Sequence, residues 1–168
     1  KNPLPILGGV APFGMIDGVR AVNAGLAPRE AQAMSAIVFA GSSQFMIVQL
    51  VGTGAPGMMV VATAFIVNLR HALYSASVAP YLRRLPPLWK GLIAYALVDE
   101  AYAVGITHYD QEGPHDSKYL YLFGAGMAVW ISWQVSTALG IFLGAQIPPQ
   151  WSLDFTLALT FIALVVPR

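Results

Sequence analysis

Residues 31–69 form an unbroken stretch of 39 positions without one Asp, Glu, Lys, Arg or His. One crossing of a bilayer takes about 20 residues, because the hydrocarbon core is about 30 Å thick. The stretch is too long for one crossing, so it makes two, or one crossing plus a re-entrant piece. Gly52-Thr53-Gly54-Ala55-Pro56-Gly57 supplies the turn between them. Phe39-Ala40-Gly41-Ser42-Ser43-Gln44-Phe45 puts small and polar residues in the middle of the run, and Asn68-Leu69-Arg70-His71 ends it with a full charge. Polar groups and irregular backbone at membrane depth are tolerated only where they face protein or a cavity. The chain reads as an integral membrane protein that handles something polar.

Composition supports that reading and removes others. Charged residues are 10% of the chain, against about 25% in soluble domains, and mean hydropathy is +0.62. A soluble protein of 168 residues could not hide 57% hydrophobic residues and keep a polar surface. A net charge of +1 gives no basic field for nucleic acid. The absence of cysteine excludes disulfides and thiolate metal sites, and no His-x-x-x-His spacing suggests a metal. No metal or cofactor is expected. Both ends run almost directly into apolar sequence, so the expectation is a single transmembrane domain over 1–168, incomplete at both ends.

Taken in order, the chain predicts an all-α architecture of about six membrane segments with broken helices. The first, 4–19, carries Gly8-Gly9, Pro12 and Gly14, a density that predicts a kinked or interrupted helix. Asn23-Ala24-Gly25-Leu26 is a turn. Pro28 suits a first helical position, and Glu30 faces the positive end of that helix. The second segment covers about 29–51, the third 57–81 and the fourth 88–109, with Asp99-Glu100 near the fourth one's centre. A polar loop fills 110–118. The fifth, 119–145, is uncharged and holds Ser132, Gln134, Ser136 and Thr137, and the sixth runs from a capping Ser152 to Val166. Arg83, Arg84 and Lys90 place their loop in the cytoplasm, with Arg20 and Arg29 on the same side and the 110–118 loop outside. Segments one and four share an acidic residue (Asp17, Asp99), and two and five share a Ser/Gln cluster. That pairing suggests a 3+3 inverted repeat.

The intramembrane charges are the first candidates for function, since holding one there costs about 2.5–3.5 kcal/mol on the insertion scale. Arg70 suits a substrate carboxylate as a counter-charge, or else pairs structurally with Asp99 or Glu100. On a regular helix Asn68 and Arg70 face different ways, so both cannot enter one pocket, whereas Tyr95, Asp99 and Tyr102 would form one stripe. Asp99, Glu100 and Asp17 are candidate proton or charge relays. Ser42, Ser43 and Gln44, with Asn68 and Arg70, are candidate substrate-binding residues. A helix broken around Gly41-Ser42-Ser43-Gln44 offers free N–H groups at a half-helix start to an anion, and the alternative is close packing by small residues. Trp89, Trp130, Trp133 and Trp151 read as interface anchors or packing.

These blocks resemble the AzlC family, the large subunit of bacterial branched-chain amino acid exporters. The resemblance rests on Pro12-Phe13-Gly14, Ala24-Gly25-Leu26, Met34-Ser35, the segment from Phe39 to Phe45, and Asn68-Leu69-Arg70-His71-Ala72-Leu73-Tyr74. Ala79-Pro80-Tyr81, Asp99-Glu100 and Leu153-Asp154-Phe155 extend it. It implies a secondary transporter in the bacterial inner membrane, exporting Val, Leu, Ile and in some cases Met with a small AzlD-type membrane subunit. The apolar part of such a site would draw on Phe39, Phe45, Phe65 or Met46. Two rival readings carry their own requirements. An intramembrane serine protease needs Gly41-Ser42-Ser43, His71 and Asp99 assembled as nucleophile, base and orienter. A passive small-solute channel would lack saturable exchange.

Overall fold

The computed structural model describes residues 4–109 and 118–145. Over these residues the fold is all-α, with no strand. Seven helices follow one another: α1 (Leu4–Asn23), α2 (Pro28–Ile37), α3 (Gly41–Gly52), α4 (Gly57–Val78), α5 (Pro87–Ala96), α6 (Asp99–Tyr109) and α7 (Lys118–Gly144), with a short 3-10 turn at Ala79–Leu82. Residues 110–117 of the loop expected at 110–118, the sixth segment at 152–166 and Trp151 lie outside the described residues.

Two stretches, Gly57–Leu82 and Lys118–Gly144, are each long and apolar enough to cross a membrane. The outer surface of α4 fits that role, with Met58, Val61, Phe65, Ile66 and Leu73 all exposed. Segments two and four are built differently, because each is two short helices in tandem. The 12 residues of α3 span about 18 Å at 1.5 Å per residue, well short of a bilayer core. Only the tandem pair approaches the needed length.

Local sequence explains the ends. Pro28 occupies the first turn of α2, and the Ala27 N–H donates to Glu30 Oε2 at 3.1 Å. Two glycines with positive φ, Gly25 (95°) and Gly54 (72°), end α1 and α3. Each sits in the same double return of backbone bonds: Gly25 N–H to Val22 O (3.0 Å) with Leu26 N–H to Ala21 O (3.1 Å), and Gly54 N–H to Val51 O with Ala55 N–H to Leu50 O (2.9 Å each). This is a Schellman end, for which glycine carries no Cβ penalty.

The first segment departs from expectation. Rather than breaking, α1 runs uninterrupted through Pro12, and Gly14 and Gly18 serve packing. α1 makes its most extensive contact with α7. A Cβ at Gly14 would overlap Ser136, and one at Gly18 would overlap the Thr137 carbonyl. From the other side, Gly140 abuts the Met15 backbone, and a Cβ at Gly144 would lie 2.9 Å from Val19 Cα. Glycines four apart on both helices let the backbones approach as in membrane helix dimers.

The breaks fall in segments two and four, which the 3+3 pairing of one with four and two with five does not match to each other. At the first, Ala40 N–H bonds Val38 O (2.7 Å); at the second, Val98 N–H bonds Ala96 O (3.0 Å). Each is a three-residue turn, and Leu97 (φ −85°, ψ 72°) has the inverse γ conformation. A buried apolar cluster of Val10, Phe39, Val98, Ala101, Val129 and Trp133 joins the two breaks to α1 and α7.

Candidate functional site

The end of α2 frees backbone carbonyls that membrane depth cannot leave bare. Side chains from three other helices take them up. Gln44 Nε2, from the first turn of α3, donates to Val38 O (2.6 Å) and Ser35 O (3.3 Å). Gln134 Nε2, from α7, also donates to Ser35 O (3.1 Å). The Tyr95 hydroxyl of α5 donates to Ala36 O and accepts from Trp130 Nε1 at 2.8 Å. Gln44 is itself held by Trp133 Nε1, which donates to its Oε1 at 3.1 Å. The two Ser/Gln clusters thus meet across the break.

Gln44→Leu keeps the volume and removes the amide, leaving Val38 O and Trp133 Nε1 without that partner. A buried polar group left unsatisfied costs about 1–3 kcal/mol. The expected outcome is a clear fall in Tm of the detergent-solubilised protein; an unchanged Tm would show that the brace is dispensable.

The restart of α3 faces the restart of α6 across a cavity of about 80 Å³. Phe39, Ala40, Gly41 and Ser42 come from the first break, and Val98, Asp99 and Glu100 from the second. Val129 and Trp133 of α7 and Arg70 of α4 complete the wall. Gly41 is required by contact here, since a Cβ would lie 2.8 Å from the Trp133 ring. The starts of two helices, each with a partial positive charge, therefore share one small space.

Arg70 ties this space together. Its Nη1 pairs with Asp99 Oδ2 at 2.6 Å, and its Nη2 donates to Ser42 Oγ at 2.7 Å. Arg70 Nε and Asp99 Oδ1 are buried without hydrogen-bond partners. The side chains keep 32% and 40% of their exposure, so the pair borders open space and is not sealed in a core. One turn apart on α4, Tyr74 stacks on Tyr102 of α6 with ring centroids 4.6 Å apart, and Ser77 Oγ lies 2.9 Å from the Tyr102 hydroxyl.

The other candidates are placed as follows. Asn68 does not line the cavity; its Oδ1 accepts from Ser43 Oγ at 2.6 Å. Neighbouring serines of α3 thus engage the two faces of α4 separately. Ser43 and Gln44 are fully buried and act behind the wall. Asp17 is buried on α1, away from the cavity lining. Tyr95, Asp99 and Tyr102 do not form one stripe, because the break at Leu97-Val98 intervenes. Among the apolar candidates only Phe39 lines the cavity. Phe65 and Met46 are exposed, and Phe45 lies under the Arg20 guanidinium, 5.6 Å from its ring centre. Trp133 was not among the expected lining residues; its place in mid-segment beside Gln134, far from either interface, is the signal that marks it. Neither Ser42 nor Ser43 bonds His71, whose Nε2 has no partner, so the protease triad is not assembled.

The order of these parts matches a known family model. AzlC protein is the description of that model, and it matches residues 5–147. The chain belongs to the AzlC family. It is similar to "Inner membrane protein YgaZ" of Escherichia coli (strain K12), with 29% identity over 86% of this chain and 59% of that protein. It is also 28% identical to an uncharacterized membrane protein of Archaeoglobus fulgidus, over 98% of this chain and 71% of the relative. A Helicobacter pylori (strain 26695) membrane protein is 27% identical over 99% of this chain and 72% of its own length. The chain thus spans a little under three fifths of the Escherichia coli relative's length. No solved structure matches. Family membership, relatives named as membrane proteins and the apolar helices make this AzlC-family chain a membrane protein.

Proposed function

We propose that this AzlC-family chain is the large subunit of a secondary transporter in the inner membrane. It would export valine, leucine or isoleucine, with methionine as a further substrate, together with a small AzlD-type subunit. The observation that carries the reading is the ion pair of Arg70 and Asp99 set in the wall of an otherwise largely apolar cavity. A branched-chain amino acid is a zwitterion with an aliphatic tail, so it needs an anion site, a cation site and an apolar wall. Arg70, Ser42 and the start of α3 suit the carboxylate. Asp99 and Glu100 suit the ammonium, and Phe39, Val98, Val129 and Trp133 suit the tail.

At about 80 Å³ the cavity is smaller than the 300–1,000 Å³ usual for ligand pockets. The described conformation is read as the closed one. Substrate entry parts Arg70 from Asp99, with the incoming carboxylate replacing Asp99 and the ammonium replacing Arg70. Charge is conserved in that replacement, which suits alternating access around a fixed site.

The test is leucine counterflow in liposomes holding the full-length protein and its small subunit. Labelled leucine uptake driven by unlabelled leucine inside should saturate and be blocked by valine and isoleucine. Uptake that rises linearly with concentration and ignores internal leucine would favour a passive channel and remove the proposal.

A further inference from the structure

Asp17 has no part in the site above, yet its side chain is fully buried and neither carboxylate oxygen has a hydrogen-bond partner. It sits on α1 between Met15 and Gly18, two residues whose backbones pack directly against α7. An ionised carboxylate without a donor or counter-ion in such a place is prohibitively costly, while its protonated form is a small neutral group. Charges near it are few. Arg20, one turn on, stacks over Phe45 and does not hydrogen-bond Asp17. Of the helices packed on α1, α3 has no ionisable residue, and α7 has only Lys118 and the tyrosines beside it, at the far end from Thr137 and Gly140. Arg29 and Glu30 of α2 are exposed.

We propose that Asp17 is the proton-binding site of this transporter, separate from the substrate cavity. The inference rests on the transport reading of the preceding section. In the closed conformation Asp17 holds a proton. When α1 parts from α7, water reaches the carboxylate and the proton leaves to that water, the amino acid itself remaining chemically unchanged. The link to the cavity runs through Phe13, one turn earlier on α1, which packs against the cluster of Phe39, Val98, Val129 and Trp133. A movement of α1 that hydrates Asp17 also loosens the cavity wall. One proton taken up from one side and released on the other, per amino acid moved the opposite way, is proton antiport through one carboxyl.

The full-length protein with its small subunit is reconstituted with the membrane potential clamped, and leucine is followed in two modes. A pH difference of one unit, about 1.36 kcal/mol, should sustain up to about a tenfold leucine gradient, with leucine gathering on the acid side. Asp17→Asn should hold no gradient while keeping leucine counterflow within about twofold, and Asp17→Glu should restore part of the pH response. Infrared difference spectra on hydration should show the carbonyl stretch of a protonated carboxyl in the wild type and not in Asp17→Asn. A pH-driven gradient that survives in Asp17→Asn overturns the assignment, as does wild-type counterflow with no pH response. Because asparagine copies the neutral acid in shape, a variant that fails to insert also contradicts it. Absence of leucine counterflow in the wild type removes the transport reading itself, and the proton site with it.

Discussion

Arg70→Ala is expected to lower leucine counterflow by about 10–100-fold while the protein still inserts. Hydrogen bonds to charged groups are worth about 1.5–3 kcal/mol, and each 1.4 kcal/mol is tenfold in affinity. The variant loses the pair with Asp99 and the bond to Ser42 together. Arg70→Lys keeps the charge but replaces a planar fork by a point charge, so it should recover only part of the activity. The structural explanation, that Arg70 merely neutralises Asp99, makes a different forecast. Under it, Arg70→Ala combined with Asp99→Ala removes both charges and should transport normally. The proposed site requires the double variant to stay inactive even when its Tm returns to the wild-type value. Measuring Tm and counterflow on the same preparations separates the two.

Gly140→Leu carries the second large effect, and it acts on the fold. Gly140 is packed against the backbone of Met15, where no side chain can move aside to make room. Overpacking of a well-packed site costs 1–3 kcal/mol and at times more, and a backbone contact stands at the upper end, about 3 kcal/mol or above. Gly124→Leu on the same helix is the control, since a Cβ there meets nothing within 4 Å. Thermal unfolding in detergent should show Gly140→Leu far less stable than Gly124→Leu. Equal Tm values would mean that the α1–α7 seam is not closed in the membrane. Because Asp17 lies between Met15 and Gly18, which meet α7 at that seam, the same result would weaken the case for a dry carboxyl.

Some of this was legible in the residues, and the reasons are physical. Arg70 could be singled out because a charge in an apolar run needs a partner, and Asp99 or Glu100 were the obvious carboxylates. The break in segment two announced itself through Gly41-Ser42-Ser43, small and polar residues that suit a helix start. The break in segment four did not, because Leu97 and Val98 look like any apolar turn of helix. The available signal was Asp99-Glu100, a pair of carboxylates that suits the positive start of α6 as well as it suits a charge relay. Gly14, with Gly8-Gly9 and Pro12, was read as a source of a kink or an interruption. Glycine in a membrane helix marks either weakness or close packing, and only the partner helix decides between them. Gln44 and Gln134 were grouped correctly as polar clusters, but their task of binding the carbonyls at the end of α2 depends on tertiary contacts that no local pattern encodes.

The central claim is that one site recognises both charged ends of an aliphatic amino acid. Competition against leucine counterflow by two truncated analogues tests it most directly. Leucinamide keeps the ammonium and tail without the carboxylate, and 4-methylpentanoate keeps the carboxylate and tail without the ammonium. The account predicts that each competes at least about tenfold more weakly than leucine, the loss of one charge-assisted contact. Inhibition by either analogue as strong as that by leucine would contradict it, because the Arg70–Asp99 pair would then not be reading both ends.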